Sequence, residues 1–214
     1  MAQNVLTLSV LSLATAVGSG AMGATLYSAD FNDPGDYAGF VDFGNRLTGD
    51  TVDGGGTLTG VTNVGDPQLR VGEVASPLNL TLEDLETITI RMRVSETNNG
   101  VFTDPATAGN VGAQLRWGLV PYGSPGATNV PGAGANLLTL ESSVADGGGY
   151  YILTYDVSSL SDPDDLDSLR FDPTDQLVGA FIEVDYFRVI GVPEPASLAL
   201  LAVGGLCIVD RRCR

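Results

Sequence analysis

Residues 87–94 read Thr87-Ile88-Thr89-Ile90-Arg91-Met92-Arg93-Val94, an unbroken alternation of polar and apolar side chains. Successive side chains of an extended strand leave opposite faces, so Ile88, Ile90, Met92 and Val94 fall on one side and Thr87, Thr89, Arg91 and Arg93 on the other. A strand of this kind buries one face and wets the other. Working outward, residues 181–190 (FIEVDYFRVI) set Ile182, Val184 and Tyr186 against Phe181, Phe187 and Val189, so both faces are apolar, as at the centre of a sandwich. Residues 150–156 (YYILTYD) place Tyr151, Leu153 and Tyr155 opposite Tyr150, Ile152 and Thr154.

The remainder follows the same pattern of short runs punctuated by Gly, Asp, Asn and Pro, with no helical period longer than a turn or two. Residues 25–31 (TLYSADF) form a first strand ending in the turn Asn32-Asp33-Pro34-Gly35. Asp53 and three glycines lead into 57–61, and 68–74 (QLRVGEV) alternates again. Residues 98–112 are too rich in Gly, Asn and Thr for core structure and are expected to form a surface loop; loops of that length often carry function. Strands are expected at 114–120 (QLRWGLV), 136–141 and 169–173, with a Pro/Gly-rich excursion over 121–134. The fold class is all-β, a β-sandwich over residues 24–191.

Composition removes whole reaction classes. Among 214 residues there is no histidine and no lysine, and both cysteines, Cys207 and Cys213, sit at the C-terminal end. Ser-His-Asp and Cys-His machinery, a Schiff-base lysine and the usual zinc ligands are therefore absent from 24–191. Carboxylate chemistry and oxygen-ligand metals remain. A net charge of −16 repels nucleic acid and suits divalent cations.

The two ends of the chain read as addresses. Residues 5–17 (VLTLSVLSLATAV) are an apolar run of signal-peptide length, followed by small residues that suit cleavage at Ala21-Met22-Gly23, so residues 1–23 form a signal peptide, though Met1 to Asn4 offer no Arg or Lys. At the other end stand Val192, Pro193, Glu194 and Pro195, then fourteen uncharged residues, 196–209, opening on Ala196 and closing on Val209, then Arg211, Arg212 and Arg214. Pro195 suits the first position of a helix. Fourteen residues reach only about 21 Å of a ~30 Å hydrocarbon core, so this transmembrane helix is marginal, with its arginines on the cytoplasmic side. Motif, short helix and basic tail over 192–214 resemble the PEP-CTERM sorting signal of Gram-negative bacteria. The resemblance implies signal peptidase and an exosortase, a membrane cysteine protease, as processing partners, and a destination in the cell envelope, on the outer surface or in the extracellular matrix.

A second resemblance lies in Leu169-Arg170-Phe171-Asp172-Pro173, then Gly179, then Ile182 to Val189. It is similar to the ending of jelly-roll domains of the galactose-binding and carbohydrate-binding-module type. The resemblance implies a structural calcium joining the last strand to the first, with Asp185 matching the last-strand ligand and Asp30, Asn32 or Asp33 the first-strand turn; oxygen-only ligands are what calcium prefers. The acidic run 161–167 lacks the Gly and Glu of an EF-hand loop and reads as a solvated turn. Trp117, with Tyr122, Tyr150, Tyr151 and Tyr155, offers flat apolar rings on which sugars stack, although aromatics on alternating strands more often face a core.

Three function classes stay open on the sequence: an exported module binding exopolysaccharide or another glycan, a structural matrix or adhesive component with no small ligand, and a carboxylate-based glycan hydrolase, for which no pair of Asp or Glu stands out. The addresses make one prediction. Intact-mass measurement of the surface-extracted protein is expected to show a chain lacking residues 1–23 and the segment after the Pro-Glu-Pro motif. A mass retaining 196–214 in cells with an active exosortase contradicts it.

Overall fold

The computed structural model describes residues 23–192 except 43–45, 53–54, 82–83, 110–111, 126–136, 158–159, 161–165 and 175. All described residues belong to the unit Gly23–Val192. The signal-like start, the helix expected over 196–209 and the basic tail lie outside them. Among the described residues no helix is long and apolar enough to cross a membrane.

Eleven strands form two antiparallel sheets: β1 Thr25–Ala29, β2 Val41–Asp42, β3 Leu47–Val52, β4 Leu58–Thr62, β5 Leu69–Val71, β6 Leu85–Ser95, β7 Gln114–Gly118, β8 Thr139–Ala145, β9 Tyr151–Asp156, β10 Ser168–Asp172 and β11 Phe181–Gly191. Seven strands make the larger sheet in the order β3-β4-β11-β6-β9-β8, with β1 also on β11; four make the smaller, β2-β5-β10-β7. The chain is an all-β sandwich. The period-two reading of residues 87–94 holds residue by residue: Ile88, Ile90, Met92 and Val94 are fully buried, and the residues between them are partly exposed.

The core lies between the sheets. Leu69, Val71, Leu115, Leu169 and Phe171 come from the smaller sheet; Leu58, Leu153, Tyr155, Ile182, Val184 and Phe187 face them from the larger. Phe171 and Phe187 meet edge to face at 6.5 Å between centroids, and Phe40 and Tyr27 stand 5.2 and 6.3 Å from Phe187. Tyr155 donates its hydroxyl to the Ala113 carbonyl at 3.1 Å, satisfying the buried polar end of an otherwise apolar ring.

Several expectations are corrected. Strands β2 and β3 lie in a region without a clean alternation, and no strand is expected there from sequence. The strand over 68–74 shortens to three residues because Gly72 turns the chain, whereas 136–141 gives way to the longer β8. Residues 98–112 are not simply a surface loop: Ala108 is fully buried in the core cluster, and Thr103 forms a bridge with Val94. A Cβ on Gly112 would lie 2.1 Å from the Ala106 carbonyl oxygen, so this segment folds tightly enough to exclude any side chain there. Of the acidic run, 161–165 lie outside the described residues, and Leu166 is buried and paired with Leu80.

The largest correction concerns β11. Its pairing with β6 slips between Val184, opposite Met92, and Tyr186, opposite Arg91, leaving Asp185 as the extra residue of a β-bulge. A one-residue slip exchanges the faces of everything beyond it. Ile182 and Val184 therefore point inward before the bulge and Phe187 and Val189 after it, while Tyr186, expected beside Ile182 and Val184, turns outward. Phe187 thus carries more of the core than Phe181. Phe187→Ala is expected to destabilise the fold by about 3–5 kcal/mol and Phe181→Ala by about 1 kcal/mol or less. Urea unfolding of the two variants checks this, and equal losses would contradict the bulge as the switch of faces.

Candidate functional site

The outer face of the smaller sheet is organised by a repeated tripeptide. Gln68-Leu69-Arg70 and Gln114-Leu115-Arg116 lie on β5 and β7 or at their starts, and Ser168-Leu169-Arg170 opens β10 between them. The three leucines turn into the core and are buried, so the arginines turn out. Register then aligns them: Arg170 stands opposite Arg70 on one side and opposite Arg116 on the other.

Like charges placed directly opposite destabilise a sheet unless something offsets them. Asp172, two residues after Arg170 on the same face, takes the Arg170 Nε at 2.6 Å and lies 3.6 Å from Arg116 Nε. Asp66 bridges Arg170 and Arg46, both at 2.6 Å. Each glutamine accepts from the arginine two residues on: Gln68 Oε1 from Arg70 Nε at 3.1 Å and also from its Nη2, and Gln114 Oε1 from Arg116 Nη2 at 2.8 Å. The Arg70 guanidinium lies over the Tyr122 ring, 4.2 Å from its centroid. The Asp172 side chain is only 4 % exposed; burial pushes its carboxyl above the usual carboxylate range, with Arg170 pulling the other way. Burial also lowers the Arg70 guanidinium from its usual value; Tyr122 opposes this, and the fields of Arg170 and Arg46 add to it.

Arg70 stands at the edge of a cleft of about 550 Å³ lined by Val41, Arg70, Glu73, Val74, Ala75, Tyr122, Gly123 and Pro125. A second cavity of about 430 Å³, reaching to Tyr27, Phe40, Pro77 and Leu78, shares Val41, Glu73 and Ala75 with the first. The lining is mostly apolar with few polar groups, the usual character of a small-molecule site. Val41 and Val74 are 40 % and 55 % exposed, large for valines. Gly72 makes the cleft possible: at φ +87° it turns the chain off β5, and a Cβ there would meet the Asp167 carbonyl oxygen at 2.1 Å. Beyond it, Tyr122 N donates to Gly72 O at 2.9 Å and Val74 N to Tyr122 O at 3.0 Å, clamping the two walls together. Glu73 is the one carboxylate among the residues lining these two cavities, so the paired carboxylates of glycan hydrolysis have no second member there.

The residues singled out from sequence are distributed as follows. Tyr122 reaches the cleft, but as a nearly buried ring holding Arg70 rather than an open platform. Trp117 follows outward Arg116, shares the core-facing side of β7 with Leu115, and packs partly buried against the core. Tyr155 is in the core. Tyr150 lies on the outer face of the larger sheet, under Arg91 at 4.0 Å and Arg93 at 4.7 Å, with its hydroxyl donated to Glu183. Tyr151 opens β9 opposite Met92.

The four residues assigned to calcium do not gather into one ligand set. Asp30, Asn32 and Asp33 line a polar hollow of about 210 Å³ with Ser28, Phe31, Asp36 and Ala38, and Asp185 is not part of it. Asp185 instead pairs with Arg91 at 2.7 Å, and Asp30 with Arg188 at 2.9 Å and with the Ser28 hydroxyl at 2.9 Å. Among the described residues no group of three or more His, Cys, Asp or Glu is placed to hold a metal ion. Two of the four, Asp30 and Asp185, are each paired with an arginine, Arg188 and Arg91.

No family model matches the chain. No curated protein matches it either. Among solved structures it is similar to the CBM22-1 xylan-binding domain from Paenibacillus barcinonensis Xyn10C, at 14 % identity and a TM-score of 0.46, covering 82 % of this chain and 99 % of that one. It is also similar to the carbohydrate esterase vb_24B_21 from Shiga toxin-encoding bacteriophage phi24B, at 13 % identity and a TM-score of 0.44, covering 80 % and 100 %.

The ion pair at Asp185 generates a prediction. Asp185→Asn is expected to cost up to about 1 kcal/mol, the scale of a partly exposed pair, through its loss to Arg91. The loss should be the same in millimolar calcium and in chelator. Melting curves of wild type and variant under both conditions check this; a calcium-dependent rise in the wild type that vanishes in Asp185→Asn would make Asp185 a calcium ligand and overturn its assignment to Arg91 alone.

Proposed function

We propose that the chain is an exported, non-enzymatic binding module of jelly-roll type that holds glycan in the cleft beside β5. The observation that carries this reading is the composition of the cleft: an apolar floor of Val41, Val74, Ala75 and Pro125 with Arg70 and Glu73 as its charged groups. A sugar presents C–H faces that an apolar floor dries and hydroxyls that need both donors and acceptors. Arg70 supplies the donors in a fixed fork, and Glu73 accepts. The Gln68 carbonyl and the Tyr122 ring hold the guanidinium in place before any ligand arrives, which lowers the entropy lost on binding.

The two terminal segments support the destination. Residues 1–23 direct export, and the PEP-CTERM-like segment 192–214 delivers the module, through signal peptidase and an exosortase, to the envelope, surface or extracellular matrix of a Gram-negative cell. A negatively charged, histidine-free and lysine-free surface fits a protein whose partner is a polysaccharide and not a nucleic acid.

A glycan array probed with the purified full-length protein is expected to return polysaccharide ligands. Val74→Asp, which wets the floor without touching the core, should weaken them about tenfold or more, the cost of about 1.4 kcal/mol at one site. An array on which nothing binds would favour the structural, ligand-free matrix component.

A further inference from the structure

We infer that Asn99 is a site of covalent self-modification, in which the main-chain nitrogen of Gly100 attacks the Asn99 side-chain amide and the side chain loses ammonia. Of the chain's ten asparagines, Asn99 alone precedes a glycine. Both residues are exposed, in the segment that follows β6. Gly100 stands at φ +78°, and a Cβ placed there would have nothing within 4 Å, so the approach to its nitrogen is open. Among the described residues the Gly100 N–H has no acceptor that would hold it back.

The turn around Asn99 presents the amide for this attack. Strand β6 ends at Ser95, which is fully buried, and the chain doubles back at once: Asn98 N donates to Ser95 O at 3.1 Å with Asn98 at φ +49°. Asn99 N donates to Ser95 Oγ at 3.2 Å. The Asn99 side-chain oxygen accepts from Val101 N at 2.9 Å and from the Ser95 hydroxyl at 3.3 Å. The bond from Val101 closes an Asx turn, which holds the side-chain amide over the Gly100 peptide unit. Both donors aim at the oxygen that becomes negative as nitrogen adds to its carbon, the arrangement by which an oxyanion hole lowers such a barrier.

The bond that forms joins Gly100 N to Asn99 Cγ, and the bond that breaks is Cγ–Nδ2. The proton lost by Gly100 N and one from solvent leave with Nδ2 as ammonia. Water then opens the succinimide at either carbonyl. Attack at the side-chain carbonyl gives aspartate, and attack at the main-chain carbonyl gives isoaspartate, whose backbone is longer by a methylene. That methylene enters just ahead of Phe102, which lies under Arg93 at 4.5 Å, and of Thr103, whose N–H donates to Val94 O at 2.9 Å. The longer product slackens the segment that Phe102 fastens to the outer face of the larger sheet.

Peptide mapping of the full-length protein, held in mildly alkaline buffer both folded and in urea, tests this. Asn99 is expected to react before every other asparagine, to give both products, and to react in the folded protein at least as fast as in urea. The rate should rise with pH, because the Gly100 nitrogen attacks only after losing its proton. Ser95→Ala should slow the folded protein several-fold and leave the rate in urea unchanged. The reacted protein should also melt below Asn99→Asp, which carries the new charge on an unlengthened backbone. Slower reaction in the folded protein than in urea, or another asparagine reacting first, overturns the inference. An unchanged folded rate in Ser95→Ala overturns the part assigned to its hydroxyl, and equal melting of the reacted protein and Asn99→Asp overturns the slackening.

Discussion

The bulge at Asp185 is the constraint on which the larger sheet depends. Strand β11 pairs with β6 along its whole length on one side. On its other side it pairs with β4 through Phe181 to Val184, and with β1 from Phe187 to Ile190. The partner changes where the register slips. A regular strand would present one continuous edge and one continuous inner face. The extra residue bends the chain, re-aims the side chains, and lets two separate strands share one edge. Because the slip also exchanges faces, it brings Phe187 inward to meet Phe171, Phe40 and Tyr27, the aromatic cluster joining the two sheets. Asp185 itself cannot turn inward as an unpaired charge, and Arg91 meets it on the outer side.

Much of this is legible in the sequence where local pattern and tertiary environment agree. Residues 87–94 sit in the middle of a sheet with one face dry, and their alternation reports that directly. Residues 181–190 are legible as a strand but not as a bulged one. A bulge shows in sequence only as apolar residues on both parities, and two-sided burial at a sandwich centre gives the same signal. Strands β2 and β3 are illegible because two residues carry no period and because Gly49 and the slip between Thr48 and Thr51 interrupt the other. Ala108 escapes for a related reason: its burial comes from how a Gly- and Thr-rich segment folds back, which composition alone reads as solvent-exposed.

The site is present in the sequence as a repeat whose meaning depends on register. Gln-Leu-Arg at 68–70 and at 114–116, with Ser-Leu-Arg at 168–170, shows in each case an inward leucine beside an outward arginine. Nothing in one dimension says that the three strands are neighbours, that β10 lies between the other two, or that the arginines come level. Likewise Tyr122 reads as an aromatic in a Pro/Gly-rich excursion until the clamp between Gly72 and Val74 draws it against β5. The calcium ligands illustrate the converse. Matching positions in sequence say nothing of which strand lies beside which: Asp185 meets Arg91 of β6, Asp30 meets Arg188 of β11, and Asp185 does not line the hollow that holds Asp30, Asn32 and Asp33.

The two outer faces of the sandwich use the same kinds of side chain in different ways. On the larger sheet Arg91 meets Asp146 and Asp185, Arg93 meets Glu183, and Arg188 meets Asp30. Tyr150, Phe102 and Tyr186 fill the remaining faces of these guanidiniums. Three arginines there answer four carboxylates, and their aromatic faces are covered by the protein's own rings. On the smaller sheet Arg46 and Arg170 meet Asp66, Arg170 and Arg116 meet Asp172, and the side-chain carbonyls of Gln68 and Gln114 supply further acceptors that carry no charge. A carbonyl satisfies the hydrogen-bonding demand of a guanidinium without cancelling its field. On the first face every one of these guanidiniums therefore has a carboxylate partner and a ring of the protein against it. The second meets part of its guanidinium demand with neutral acceptors, leaves the buried Arg116 Nε without a hydrogen-bond partner, and turns Arg70 and Glu73 together into the cleft at its edge.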